Sequence, residues 1–368
     1  MTAILFLETF ISVSTQAAVI VTVTYWLARM FDNDRTSSRL WTLCNLLLVL
    51  LVINAALFPH LRLVRPLRPV AHPLVSNIVT AEIQSGIFLF SIWAIGASGS
   101  LASLVLSMFR IERFLQGCND IEPSLISIQR PDQVRMVSAS AIAAPFCWQL
   151  HQPFIVLPNH LLKSHHDDLK LIVRHEMAHL QTSHALQLLL QRFVEILFWF
   201  HPLVWWASSE WSLSREIVCD REAVESRSDV IRYLRALLSI AEQSIEMSHS
   251  AMALRFLPKR RDVAERVRHL VRFAESSSDD FRARTGPLRF ATGYFTMASI
   301  AVIVMLALWL PVNSLASPES YLSPWPTWTA DVLNDFGIKA RDFEVFDHRY
   351  AMHELYGTQN NLTKSSNE

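Results

Sequence analysis

The sequence predicts a mainly α membrane protein: four transmembrane helices, with a cytoplasmic domain between the third and the fourth. Composition is the first reason, since 51% of the 368 residues are hydrophobic and only 18% are charged. The second is that four apolar runs are each long enough to cross a bilayer, which takes about 20 helical residues. The third is the uneven placement of basic residues beside those runs. Formal net charge is zero, so global electrostatics do not point to nucleic acid, and no direct nucleic-acid binding is expected.

The first run covers roughly Ala3 to Ala28 and holds one acid, Glu8. It lacks a basic leader segment and is too long for a signal peptide, so it reads as an uncleaved anchor. The second, Leu40 to Phe58, is uncharged. In the third, Ile87 to Phe109, the patch Gly96-Ala97-Ser98-Gly99-Ser100 would let another helix approach closely. The fourth is Phe290 to Val312. The predicted regions are thus three spans over 1–113, a cytoplasmic domain over 114–289, a fourth span over 290–312 and a short extracytoplasmic tail over 313–368. Arg29, Arg35 and Arg39, then Arg110 and Arg113, and finally Arg282, Arg284 and Arg289 place that domain inside a multi-pass cell membrane protein. Arg62, Arg65 and Arg68 vote the other way, but the stretch after the fourth run carries nothing basic before Lys339.

Within the domain, LKLIVRHEMAHL (169–180) reads as helix, with Leu169, Ile172, Val173 and Leu180 to pack one face. Residues four apart share a helical face, so the imidazoles of His175 and His179 converge on one point. Neutral imidazole nitrogen is a good zinc ligand, and two on adjacent turns can hold one ion. Glu176 points aside, placed to take a proton from a water on the metal. Zinc brings the pKa of such a water to about 7. The chemistry implied is peptide-bond hydrolysis; the bland alternative is a chance match of a short motif.

WSLSREIVCDREAV (211–224) supplies what two histidines lack. A catalytic zinc takes three protein ligands and leaves the fourth position to water. Glu216 lies one helical turn before Asp220, so both face the same way. Glu216 is assigned as third ligand to a single zinc. Asp220 is assigned as the acceptor that holds a ligating histidine by its other ring N–H. Taken alone, these acids would be a solvated face with Arg215 and Arg221 as partners.

FWFHPLVWW (198–206), with HEMAH before it and SREIVCDREAV after it, resembles the BlaR/MecR-type antirepressor metallopeptidases over roughly residues 1 to 312. The resemblance implies an α+β gluzincin-type zinc metallopeptidase domain anchored in the membrane. Carried over, it implies His175, His179 and Glu216 on zinc and Glu176 as catalytic acid/base. PFIVLP (153–158) is similar to the family's strand ahead of the zinc helix, an edge on which an extended substrate would lie. His184 stands where the family usually has an acid, and Trp148-Gln149 where it has Phe-Gly. Residues 313–368 are too few for the family's penicillin-binding sensor domain, so β-lactam sensing is not expected to transfer.

The apolar stretch Leu186 to Ala207 contains Gln187, Gln191, Arg192, Glu195, His201 and Pro202. A full crossing there would strand Glu216 on the wrong side, so the expectation is a helix packed on the bilayer surface or the spans. A break at Pro202 and a short Trp-rich helix would follow. Trp199, Trp205, Trp206 and Trp211 suit either an interface or a core, and His201 reads as structural. His160, His165 and His166 read as a polar loop rather than a second metal site, with Ser164 or Asp167 as N-cap of the zinc helix. Residues 228–275 look helical and amphipathic, with a basic stretch Lys259-Arg260-Arg261 that either touches anionic lipid or is solvated. The four cysteines fall in spans or the predicted cytoplasmic domain and are expected to be reduced.

The function expected is a zinc-dependent endopeptidase acting on a protein substrate. By resemblance that substrate is a transcriptional repressor, cleaved in signal transduction. The alternatives are an HtpX-like quality-control protease and a non-catalytic receptor stabilised by zinc. The bilayer, a protein substrate and further copies of the chain are the candidate partners.

Overall fold

The computed structural model describes residues 3–31, 33–61, 72–121, 134–149, 152–163, 165–246, 260–275, 287–310, 325–338 and 340. Its helices begin with α1 (Ala3–Met30) and α2 (Asp34–Leu57). Asn33 separates them, its side-chain oxygen accepting from the Arg35 N–H, so the chain reverses at a capped helix start. Next, α3 (His72–Gln116) is one helix of 45 residues, about 67 Å long at 1.5 Å per residue. The predicted third span is only its middle.

A four-stranded sheet follows: β1 (Asn119–Asp120), β2 (Arg135–Ala139), β3 (Phe146–Gln149) and β4 (Pro153–Pro158), in the order β1-β2-β4-β3. Only β2 and β4 run parallel, with Val137 opposite Val156. Alternation sends Ile155 and Leu157 to one face and Val156 to the other. The first face packs on the zinc-motif helix α4 (His166–Gln181), and the second on Leu115 at the end of α3. PFIVLP is therefore not an edge. It is the interior strand β4, paired on both sides, and β3 takes the edge. A fully buried Ile155-Val156-Leu157 run is what two covered faces require. The N-cap of α4 is His165, without a side-chain bond. Asp167 lies inside the first turn instead, paired to Arg232, and Ser164 lies outside the described residues.

Helices α5 (His184–Leu197) and α6 (Pro202–Ala223) make a hairpin. Its turn, 198–201, wedges between α1 and α3. The Trp93 indole N–H donates to the Leu197 carbonyl at 3.0 Å, and the Trp199 indole N–H to the Trp93 carbonyl at 3.2 Å. His201 Nε2 lies 3.1 Å from the Ser14 carbonyl, and Phe200 stacks on Phe10. The small-residue patch of α3 admits this turn: a Cβ at Gly96 would stand 2.2 Å from the Trp199 ring. The expected break at Pro202 is present, with proline suited to a first helical position. The helix after it is longer than expected, 22 residues.

Then come α7 (Arg227–Glu246), α8 (Arg260–Glu275), α9 (Pro287–Ala307) and α10 (Thr327–Asp335). The fourth predicted span corresponds to α9, but the chain leaves the helix at Leu308 rather than continuing to Val312. Glu8, Ser12 and Gln16, one turn apart on α1, meet that exit. The Trp309 indole donates to Glu8, the Leu310 N–H to Ser12 Oγ, and the Gln16 amide to the Leu308 carbonyl. Backbone groups freed by the end of α9 are thus satisfied inside an apolar bundle. By length and composition, Ala3–Met30, Asp34–Leu57 and Asn77–Gln116 can cross a membrane, while Tyr294–Ala307 is a shorter apolar helix. The core between them runs from Ala17 and Leu48 to Phe198, Trp211 and Met297. Of the tail, only residues 325–338 and 340 are described, and α10 lies among them.

Candidate active site

The buried face of α4 delivers two imidazoles, and α6 crosses that face to deliver carboxylates. His175 Nε2 and His179 Nε2 stand 3.1 Å apart. Glu216 Oε2 lies 3.5 Å from His175 Nε2, and Glu216 Oε1 lies 3.5 Å from His179 Nε2. Ligands held about 2.0–2.2 Å from a tetrahedral centre are about 3.3 Å from one another. The three side chains therefore match the edges of a single metal coordination sphere, and they form one of two groups able to hold a metal among the described residues.

Behind His175, its second ring nitrogen faces Asp220 Oδ1 at 3.1 Å and the Tyr233 hydroxyl at 2.9 Å. Tyr233 donates to the same Asp220 oxygen at 2.7 Å. Arg266 closes the cluster from α8: it donates to both Asp220 oxygens, at 2.8 and 2.6 Å, and reaches Glu216 Oε2 at 3.0 Å. Burial works to raise the Asp220 carboxyl, but Arg266 and the hydrogen bonds from His175 and Arg266 outweigh it and hold it at about 2. Glu216 is held well below the usual carboxylate range, the same guanidinium overcoming burial. Asp220 is thus an anion that fixes the His175 ring.

His179 is held differently. Its Nδ1 lies 2.7 Å from His184 Nδ1, and Cys219 Sγ faces that same His184 nitrogen at 3.5 Å. With Nε2 of His179 turned to the metal point, Nδ1–H donates and His184 must accept through an unprotonated nitrogen. Burial, with His179 and Arg215 nearby, pushes the His184 pKa down to about 3, so the neutral acceptor is the form present. This is how histidine fills a place where an acid was anticipated. His179, His184 and Cys219 are the second metal-capable group, but they share His179 with the first and lie beside the Arg215 cation.

Glu176, next to His175, is buried and accepts no hydrogen bond among the described residues. Burial raises its carboxyl to about 7, which suits a group that must both take and give a proton near neutrality. The fold brings Asp220, Glu216, His175 and His179 together, with Glu176 adjoining His175 on α4. Tyr233 and Arg266 were not anticipated. They come from α7 and α8, 58 and 46 residues from their partners, and no spacing rule connects them. His165 and His166 stay outside both metal-capable groups of described residues.

The polar face that α5 and α6 share is buried too. Gln191 donates to Ser208 and accepts from Arg215, and Ser208 donates to Glu195. This network ties the two helices that carry His184 and Glu216 into one rigid arm.

Residues 8–270 match the family profile described as BlaR1 peptidase M56. Among curated proteins, the chain is similar to the regulatory protein BlaR1 of Bacillus licheniformis, with 23% identity over 199 residues. That alignment covers 51% of this chain and 33% of the relative, so the chain matches about a third of the relative's length. With apolar helices around a His-Glu metal-capable cluster and a profile match across most of its length, the chain belongs to the BlaR1 peptidase M56 family.

Proposed function

We propose that this chain is a membrane zinc endopeptidase that cleaves a regulatory protein of the transcriptional-repressor kind, as part of signal transduction. The observation that carries the reading is the convergence of His175, His179 and Glu216 with the buried Glu176 beside them. Two imidazole nitrogens and one carboxylate oxygen form a donor set that suits zinc and leaves a position open. When bound, zinc supplies Lewis-acid polarisation and acidifies a water near neutral pH.

The chain's own residues do the rest. His175, His179 and Glu216 hold the ion, one zinc per chain, and Asp220 with Tyr233 fixes the His175 ring. Glu176 takes the proton from the attacking water and passes it to the leaving amine, one carboxyl serving both steps. The outer edge of β3, unpaired among the described residues, offers backbone groups to an extended substrate. The domain that holds the site faces the cytoplasm, with the tail on the other side. The relative's name, a regulatory protein, supports the signalling reading.

The test compares new protein N-termini in cells expressing wild type or Glu176→Gln. Loss of one proton shuttle lowers turnover by about 10²–10⁴-fold, with metal content unchanged. New termini in a DNA-binding repressor support signalling. Termini spread over many membrane proteins would indicate quality control instead, and termini independent of Glu176 would leave a zinc-stabilised receptor.

A further inference from the structure

Between α6, α8 and the α1–α2 turn lies a half-open cavity of about 240 Å³. Its floor is apolar and buried, formed by Trp41, Leu213 and Ile217. Its rim is charged and balanced: Arg29, Arg261 and His269 against Asp34, Glu210 and Glu265. Residues 261, 265 and 269 succeed one another at one-turn intervals, so a single ridge of α8 supplies half of that rim.

Two opposite-charge pairs cross the opening, Arg261 to Glu210 at 2.7 Å and His269 to Asp34 at 3.2 Å. Arg29 does not take part. It lies over the Tyr25 ring at 4.9 Å and pairs with no carboxylate among the described residues. The cavity opens where two helices apolar enough to cross a membrane are joined, which is the level of a bilayer surface.

We propose that this cavity binds a zwitterionic phosphate group of the phosphoethanolamine kind, with Arg29 and Arg261 on the phosphate and Glu265 and Glu210 on the ammonium. Arg29, without a carboxylate partner among the described residues, supplies the attraction for an anion. Glu265 also pairs with Arg268 at 2.5 Å. A ligand with phosphate alone is disfavoured, since drawing Arg261 onto the phosphate would leave Glu210 without its cation unless the ligand brings an ammonium of its own. A trimethylated ammonium is disfavoured as well, having no N–H to donate. The site's occupant in a membrane is a phospholipid headgroup; a soluble phosphoethanolamine has the same chemistry. One step round α8 from Glu265, Arg266 holds Asp220 and Glu216, so an occupant that fixes α8 also fixes the wall of the metal site. Binding itself does not rest on the peptidase reading.

Full-length protein is reconstituted in nanodiscs of phosphatidylethanolamine with phosphatidylglycerol and then released into detergent. Retained lipid is counted by native mass spectrometry. Wild type and the α7 surface control Arg235→Gln retain one phosphatidylethanolamine per chain, and Arg29→Gln and Glu265→Gln retain it at least several-fold less. The two variants lie on different helices, so a folding defect in one leaves the other as the test. In a second arm, lipid-stripped protein is heated with phosphoethanolamine or inorganic phosphate. A stabilising shift with phosphoethanolamine and no retained lipid assigns the soluble source. Equal retention of phosphatidylglycerol, retention unchanged in both variants, or an equal shift with inorganic phosphate overturns the proposal. So does the absence of both retention and shift.

Discussion

Behind the metal-ligand point, contacts from three helices converge on Asp220. It accepts from Tyr233 and twice from Arg266, and it faces the rear nitrogen of His175. Removing its charge while keeping its shape isolates its role. Asp220→Asn is expected to weaken zinc binding by about 10–100-fold, the usual effect of losing the group behind a ligating histidine. Competition with a chelator measures this, and an unchanged affinity would remove Asp220 from that role. Arg266→Met is the harsher change, because it strands the buried Asp220 and the partly exposed Glu216 without their shared cation. Breaking a buried pair costs about 3–5 kcal/mol, so thermal unfolding of the metal-free variant should move down clearly, and less so with zinc present. The pair His175 and His179, with Glu176, was legible because helical geometry alone joins positions one turn apart. Arg266 was not, because a single arginine on a basic amphipathic helix looks like its solvated neighbours until tertiary packing selects it.

At the scale of elements, the placement of α8 is expected to respond to pH. The hydrogen bond to Asp34 raises the His269 pKa above its ordinary 6.5, against burial and the nearby Arg272. A histidine that binds its proton more tightly when folded stabilises the fold fully below its unfolded pKa. That contribution is lost as pH rises through the higher folded value. Hydrogen exchange in α8, corrected for intrinsic rates, should therefore speed up from pH 6 to pH 8.5, and His269→Gln should flatten the dependence. Equal protection at both values would show that other contacts hold α8. The long elements were readable as apolar or amphipathic periodicity over many turns. The sheet was not: strands of four to six residues give too short a pattern to rank. PFIVLP was recognised as a strand by resemblance, yet its interior position follows only from its pairing on both sides.

For the molecule as a whole, the hairpin α5–α6 joins the membrane bundle to the site. One end of the hairpin carries His184 and Glu216, and the other is the Phe198–His201 turn, held by Trp93, Ser14 and Phe10. Buried hydrogen bonds among Gln191, Ser208 and Arg215 make the arm stiff, so a displacement at the turn has no soft segment in which to dissipate. Sequence reasoning reached the reason for this arrangement, since a full crossing would have separated the ligands, but not the wedge between α1 and α3. Two glycines on α3 test the coupling. A side chain at Gly96 would lie 2.2–2.7 Å from Trp199 ring atoms, whereas Gly99 has nothing within 4 Å. Gly96→Val must push the turn away; Gly99→Val meets open space. The expected result is reduced zinc content and lowered thermal stability in the purified Gly96→Val protein, with Gly99→Val close to wild type. The ligands are untouched in both, so a loss of metal confined to Gly96→Val would have to travel along the hairpin. Full zinc content in Gly96→Val would mean that the turn yields locally and that the spans and the metal site are mechanically independent.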